Sequence, residues 1–183
     1  MKSAPSNIIL GIDPGTNVMG YGVIRTTKNT INLLQYGVIH LGKYSGHELK
    51  LKKIFERVSS LINDYTPDHV ALEAPFYGKN VQSMLKLGRA QGVAMAAALS
   101  KEIPISEYAP KKVKQSVTGN GNASKEQVAR MLMSILNFEE HHKSLDATDA
   151  LAVALCHHYN KGNEKKTFKS WNAFLSDNPN RLK

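Results

Sequence analysis

Cysteine is almost missing from this chain, which has Cys156 alone among 183 residues. A single thiol forms neither an intramolecular disulfide nor a cysteine-cluster zinc site. Long apolar runs are missing too: no stretch approaches the roughly 20 residues that a membrane-spanning helix needs. The first apolar run, residues 8–12, is shorter than the apolar region of a signal peptide. We therefore expect a cytoplasmic protein without disulfides and without a membrane contact.

Acidic residues are in the minority. Fifteen Asp and Glu face 24 Lys and Arg, which gives a formal net charge of +9 and a pI of about 9.6. A small domain of this charge attracts polyanions, of which nucleic acid is the commonest, although acidic membranes and acidic proteins also suit it. The length and the 42% hydrophobic content are typical of one globular domain.

The periodicity of apolar residues predicts one α/β domain with a mixed sheet, of order βββαβαβααα. The predicted strands are residues 8–13, 20–26, 31–41, 69–74 and 104–108. The predicted helices are residues 48–66, 81–100, 111–117, 124–136 and 146–159. Ser124 and Gln127 have the spacing of a capping box at the start of one helix. We assign residues 1–161 to this domain and residues 162–183 to a basic, loosely ordered tail.

Four acids stand out against this pattern. Asp13 and Glu73 each end an apolar strand, where an ionised carboxylate is costly unless something such as a cation compensates it. Asp146 and Asp149 are three residues apart and so share one helix face. Capping of a helix N-terminus would also explain the helical pair, and a turn would explain Asp13. Only the four together favour a site for Mg²⁺, which prefers oxygen ligands.

Other catalytic signatures are missing. The sequence has no Ser-His-Asp or Cys-His arrangement that suggests a nucleophile. The Gly-Asn-Gly-Asn run at residues 119–122 lacks the Gly-Lys-Ser/Thr ending of a phosphate-binding loop. Two cations about 3.5–4 Å apart could instead activate a water and stabilise the departing oxygen of a phosphodiester.

Several ordered motifs resemble those of the RuvC-type Holliday junction resolvases. They are Ile9-Leu10-Gly11-Ile12-Asp13-Pro14-Gly15, Gly20-Tyr21-Gly22-Val23-Ile24, Glu73 with Phe76 and Lys79-Asn80, Leu85-Lys86-Leu87-Gly88-Arg89-Ala90-Gln91-Gly92, Val113-Lys114-Gln115, Gly119-Asn120-Gly121 with Lys125 and Gln127, and Asp146-Ala147-Thr148-Asp149-Ala150-Leu151-Ala152. The resemblance spans nearly all of residues 8–158.

The resemblance implies a ribonuclease H-like fold, a five-stranded mixed sheet flanked by helices, in a homodimer. It implies symmetrical nicking of four-way DNA junctions with Mg²⁺ or Mn²⁺, two ions per active site, leaving 5′-phosphate and 3′-hydroxyl ends. By the same resemblance Asp13 would bridge both ions, Glu73 would complete one site, and Asp146 with Asp149 would complete the other. A RuvA-RuvB branch-migration complex is a further partner that the resemblance suggests.

The resemblance also assigns residues to DNA. Lys114 and Lys125 match basic positions beside the scissile phosphate, and solvated surface is the alternative for both. Phe76 matches an aromatic that stacks on junction bases, and a core position is the alternative. Lys79 lies in the same loop. Lys86 and Arg89 share a face of the long helix and could contact phosphates.

Gly88, Gly92 and Ala96 recur every fourth residue of that helix. Such a stripe allows close approach of another backbone, either that of a two-fold partner or that of this chain's own sheet.

Three other functions compete. A ribonuclease H-like RNA-processing nuclease of the YqgF type would share the fold. An actin-like ATPase or sugar kinase also opens with a strand and an Asp-x-Gly turn, but needs a second phosphate loop and a longer chain. A non-catalytic junction-binding protein would need the basic surface without the four acids.

Overall fold

The computed structural model describes residues 6–75, 80–139 and 145–160, and it confirms the predicted order of elements. The strands are β1 (Asn7–Asp13), β2 (Val18–Thr26), β3 (Ile31–His40), β4 (His69–Glu73) and β5 (Ile105–Tyr108). The helices are α1 (His47–Tyr65), α2 (Val81–Leu99), α3 (Pro110–Thr118), α4 (Lys125–Leu136) and α5 (Asp146–Asn160). Phe76, Lys79 and the tail at residues 162–183 lie outside the described residues.

The five strands form one mixed sheet of order β3-β2-β1-β4-β5, as predicted. The first three strands are antiparallel neighbours, whereas β4 pairs in parallel with both β1 and β5. The strand β1 is therefore central, and its carboxyl end meets the carboxyl end of β4 at one edge of the sheet.

Helices cover both faces of this sheet. Leu10 and Ile12 of β1 pack in the core that also contains apolar residues of α1 and α2. Ile9 packs in the opposite core, with residues of α3, α4 and α5. Because side chains alternate along a strand, Asp13 has the parity of Ile9 and faces the layer of α5.

The helix α5 lies closer to the sheet than a side chain would allow. A Cβ added at Gly11 would stand 2.2 Å from the carbonyl oxygen of Ala150, and one at Gly20 would stand 1.9 Å from that of Asp146. The backbone of α5 therefore rests directly on β1 and β2, which brings the N-terminal turn of α5 over the end of β1 where Asp13 lies.

Apolar burial holds α5 in this place. Ten of its residues are buried: Ala147, Thr148, Ala150, Leu151, Ala152, Val153, Ala154, Leu155, Cys156 and His157. A helix that is apolar on nearly every side belongs in a core rather than at a surface. Cys156 is buried, as its apolar neighbours predict. Among the described residues, none of the helices combines the length and hydropathy of a membrane span.

We expect Gly11→Ala to lower the free energy of unfolding by about 1–3 kcal/mol or more, because its methyl group cannot fit without moving α5. Gly42→Ala is the matched control, since its nearest neighbour would be the carbonyl oxygen of Asn17 at 3.8 Å. The control should change stability by less than about 0.5 kcal/mol in urea titrations. Equal effects of the two substitutions would show that α5 is not seated tightly on β1.

Candidate active site

The two strand acids lie side by side. Ile12 pairs with Leu72 in the parallel ladder of β1 and β4, so the residues that follow them, Asp13 and Glu73, end the two strands side by side. Both are half-buried at the edge of the sheet. Because side chains alternate along a strand, that of Asp13 points toward α5. The apolar residues that precede Asp13 and Glu73 are buried, and they fix the strands that carry the two acids.

The helical acids complete the cluster. One carboxylate oxygen from each of Asp13, Asp146 and Asp149 can be chosen so that all three lie within 4.8 Å of one another. Glu73 lines a cavity of about 170 Å³ together with Asp13 and Asp149. The side chain of Asp149 is 14% exposed and that of Asp146 is 36% exposed, so Asp149 is mostly buried in the cluster and Asp146 is partly in solvent.

Burial and the repulsion of neighbouring carboxylates disfavour ionisation of Asp13, Glu73 and Asp149. Burial, followed by the neighbouring charges of Glu73 and Asp149, raises the pKa of Asp13 to about 8. Burial and then Asp149 raise the pKa of Glu73 to about 7. Burial also raises the pKa of Asp149, against the opposing effect of Lys125. Carboxylates that repel one another in a small cavity gain from a cation.

Two lysines stand at the same cavity. The ammonium of Lys125 is 2.5 Å from Oδ2 of Asp149 and 3.7 Å from Oδ1 of Asp146. Lys114 also lines the cavity, and its ammonium donates to the carbonyl oxygen of Ala123 at 2.8 Å. Neither lysine is merely solvated surface, which was the alternative for both.

Local sequence explains where these lysines are. The predicted capping box is present, with Ser124 accepting from the backbone N–H of Gln127 and the Gln127 side chain accepting from the backbone N–H of Ser124. Lys125 is thereby fixed in the first turn of α4. The hydroxyl of Thr118 and the carboxamide of Asn120 accept backbone N–H bonds in the preceding turn, which carries Ala123 toward Lys114.

Lys86 and Arg89 lie elsewhere. Both are exposed on α2, and neither lines the acidic cavity. Lys86 instead lines a second cavity beside Thr16 and Asn17. Phe76 and Lys79, the other residues assigned to DNA, lie outside the described residues.

One contact near the acids carries no sequence signal. The ammonium of Lys50 donates to the carbonyl oxygen of Thr16 at 3.1 Å and to Oδ1 of Asn17 at 3.2 Å. The carbonyl oxygen of Asn17 also accepts from the backbone N–H groups of Leu41 and Gly42. These bonds fix the loop that directly follows Asp13. Lys50 is one of several lysines along α1, and only the tertiary structure distinguishes it.

The carboxylates fit a hard divalent cation. Two oxygens on opposite sides of one Mg²⁺ are about 4.2 Å apart, since each bond is about 2.1 Å. The oxygens of Asp13, Asp146 and Asp149 lie within 4.8 Å of one another, so only small movements would bring them to one ion. Glu73 lines the same cavity as Asp13 and Asp149 and would be a further oxygen ligand.

We expect the free energy of unfolding of the metal-free protein to fall as pH rises from about 4 to about 8. In that window the unfolded chain ionises Asp13 and Glu73 near their model values of 3.8 and 4.5, whereas the folded protein keeps the protons up to about 8 and about 7. The folded state thus binds more protons, and stability decreases with pH.

Urea titrations across this pH range measure the effect. Asp13→Asn should flatten the decline, whereas Asp64→Asn, which removes an exposed carboxylate from α1, should leave it unchanged. A decline of the same slope in Asp13→Asn would contradict the assignment to this cluster. Saturating Mg²⁺ should reduce the decline in the unsubstituted protein, because the cation competes with protons for the same oxygens.

Comparisons with known proteins agree with the geometry. A family model described as crossover junction endodeoxyribonuclease RuvC matches residues 9–157. The protein of that name from Cytophaga hutchinsonii is 63% identical, over 100% of this chain and 92% of its own length. The one from Bacteroides fragilis is 57% identical, over 100% of both chains.

Solved structures agree as well. The structure of T. thermophilus RuvC in complex with Holliday junction substrate superposes with a TM-score of 0.79 at 31% identity, covering 85% of this chain and 94% of that one. The yeast mitochondrial Holliday junction resolvase, at 14% identity and a TM-score of 0.60 over 87% and 86% of the two chains, shares the fold. The ribonuclease H-like fold is thereby confirmed, and the chain belongs to the RuvC family of crossover junction endodeoxyribonucleases.

Proposed function

We propose that this protein resolves four-way DNA junctions by hydrolysing one phosphodiester bond in each of two strands, leaving 5′-phosphate and 3′-hydroxyl ends. The observation that carries the proposal is the convergence of Asp13, Asp146 and Asp149 within 4.8 Å, with Glu73 in the same cavity. In a protein of formal charge +9, such a carboxylate cluster suits a polyanionic substrate, because bound cations would lie between the carboxylates and its phosphates.

The four acids are proposed as the metal ligands. Asp13, which ends the central strand, would be shared by two Mg²⁺ or Mn²⁺ ions, with Glu73 on one side and the helical pair on the other. The ions, when bound, would activate the attacking water and stabilise the departing 3′ oxygen. The protein's own part is to hold these carboxylates at fixed spacing on β1, β4 and α5.

Lys125 has two tasks in this proposal. In the metal-free protein its ammonium balances the charge of Asp149 at 2.5 Å. Asp149 would be among the residues that hold a bound cation, and its ion pair with Lys125 would then be weaker, since two positive charges cannot share one carboxylate oxygen at low cost. The Lys125 side chain would then be available to the scissile phosphate, together with Lys114, which lines the same cavity.

Lys86, Arg89, Lys79 and Phe76 are proposed as further DNA contacts. Lys86 and Arg89 are exposed in the N-terminal half of α2. Their charged groups would contact phosphates rather than bases. Lys79 and Phe76 follow β4 in the sequence, directly after Glu73, and aromatic stacking on unpaired bases could contribute about 1–3 kcal/mol per base.

The active unit is proposed to be a homodimer that joins through α2. Among the described residues, a Cβ at Gly88 or Gly92 would have no neighbour within 4 Å, so these glycines do not pack on this chain's own sheet. The alternative of internal packing is therefore wrong for both. The apolar residues Val81, Leu85 and Leu99 of the same helix are also exposed. A two-fold partner on this face would give one assembly two active sites.

The remaining expectations concern regions or partners outside the described residues. We propose that residues 1–161 form the nuclease domain and that residues 162–183 are a separate basic segment. A contact with a RuvA-RuvB branch-migration complex stays an expectation drawn from the family.

We expect the unsubstituted protein with Mg²⁺ to place paired, symmetrical nicks in a synthetic mobile four-way junction. Asp13→Asn should lower the cleavage rate by on the order of 10³-fold or more, because a shared metal ligand supplies several kcal/mol. It should still bind the junction at least as tightly, since a negative charge has been removed beside a phosphate. Gel analysis of nicked strands and a binding titration measure both.

Asp64→Asn is the matched control and should cut at the unsubstituted rate. Equal cutting by Asp13→Asn would reject the metal cluster as the site of hydrolysis. Faster cutting of structured RNA than of the junction would instead favour the RNA-processing alternative. Tight binding without any cutting by the unsubstituted protein would favour a non-catalytic junction-binding protein.

Gly92→Leu should weaken the homodimer, because its side chain would fill the space into which a second backbone approaches. Sedimentation velocity over a dilution series measures the shift toward monomer. Lys52→Leu, which places the same side chain on an exposed position of α1, should leave the association unchanged. Dimerisation of Gly92→Leu at the same concentration as the control would exclude the stripe as the interface.

A further inference from the structure

A basic groove runs along the same edge of the sheet as the acids but on the face of α1. Two cavities of about 420 and 410 Å³ meet at Tyr44, which lines both. Lys50 and Lys86 line the first cavity, next to the loop after Asp13. Lys43, Lys53 and Arg57 line the second, between the end of β3 and α1.

The strand pairing places this groove near the acids. Since β1 and β3 are each antiparallel to β2, their carboxyl ends lie at the same edge. Asp13 pairs with Gly20, and Gly20 pairs with Val38, which lines the second cavity. Val38 is thus two strand spacings, about 10 Å, from Asp13. Thr16 in the first cavity follows Asp13 by three residues, which span about 10 Å at most.

The charge of the groove is strongly positive. Five cations and a single carboxylate, Glu56, are among the residues that line the two cavities. Glu56 pairs with Lys53 at 2.7 Å and with Lys52 at 3.8 Å. Within residues 6–75, 80–139 and 145–160, no carboxylate lies within ion-pair distance of the other four groove cations. Their positive charge is therefore available to a ligand.

Neutral groups hold these cations in place. The ammoniums of Lys43 and Lys53 lie 5.3 and 5.9 Å from the centroid of the Tyr44 ring. The guanidinium of Arg57 donates to the hydroxyl of Tyr21 at 2.9 Å. Lys43 and Arg57 are thus positioned without a carboxylate partner among the described residues, so less conformational entropy is lost when an anion binds them.

We propose that this groove binds the sugar-phosphate backbone of the DNA arm that leads away from the cleavage point. The inference rests on the proposed function. The groove begins about 10 Å from Asp13, which corresponds to about three nucleotides at the 3.4 Å rise of one strand. The ammoniums of Lys43 and Lys53 lie over the Tyr44 ring, so DNA bases do not stack on it. The contact with the phosphates therefore carries no sequence preference. DNA is favoured over an acidic protein because the cations continue from the edge where the scissile phosphate would lie.

The test uses two double variants in an Asp13→Asn background, which prevents cutting. Lys43→Gln with Arg57→Gln removes two groove cations that have no carboxylate partner among the described residues. Lys52→Gln with Lys101→Gln removes the same charge from an α1 position outside both cavities and from the turn that follows α2. Each double variant is titrated with two long-armed junctions. One carries ordinary phosphates, and the other carries neutral methylphosphonates at about the third to seventh nucleotides from the cleavage point along an arm.

We expect the groove pair to weaken binding to the charged junction several-fold and to lower the magnitude of the salt slope, d log K/d log[salt], by about 1.8, at about 0.9 per lost contact. Neutralising the phosphates should weaken binding by the Asp13→Asn parent and by the control pair, and should have little effect on the groove pair. Lys43→Arg with Arg57→Lys should preserve the parent's behaviour, which separates charge from folding.

The proposal would be overturned if the groove pair and the control pair lost the same affinity for the charged junction. It would also be overturned if neutralising the phosphates weakened binding by the parent and by the groove pair to the same extent. If the Asp13→Asn parent bound no junction at all, the proposed function would fail together with the groove. If the parent bound normally and only the groove effect were missing, the proposed function would stand alone.

Discussion

The backbone contact between α5 and the sheet is the constraint on which the site depends. At Gly11 and Gly20 a Cβ would overlap carbonyl oxygens of Ala150 and Asp146. The absence of side chains there lets α5 lie low enough for its first turn to reach the end of β1. With α5 raised by even a methyl group, the helical carboxylates would move away from Asp13, and the ligand set would separate into two unrelated pairs.

This arrangement concentrates negative charge where burial already opposes it. The raised pKa values of Asp13 and Glu73 reflect the free-energy cost of ionising buried carboxylates that lie close together. Lys125 offsets part of it from α4, and a divalent cation would offset more. Stability and function therefore make opposite demands on the same carboxylates, and the apolar burial of α5 compensates for the conflict.

Much of this was accessible from the sequence, for physical reasons. Strand and helix periods gave the order of elements, because each element buries one continuous face. Asp13 and Glu73 were identifiable because a carboxylate that ends an apolar strand needs a partner. The spacing of Asp146 and Asp149 predicted that they share one helix face. It did not predict that this face lies above Asp13, since that depends on how closely α5 packs on the sheet.

Whether Gly88 and Gly92 pack inward or outward was open, as a stripe of small residues suits either. The roles of Lys50 and Tyr44 had no local signature, since both arise from contacts between segments distant in sequence.

The double hydrogen bond of Lys50 to Thr16 and Asn17 connects the groove to the segment that follows Asp13 in the chain. Any anion that draws this ammonium toward itself weakens the support of the segment that begins directly after Asp13. If the proposed groove binds a DNA arm, its occupancy would therefore bear on the position of Asp13 through one side chain. A long substrate and a short one would then present the same scissile bond to sites of unequal rigidity.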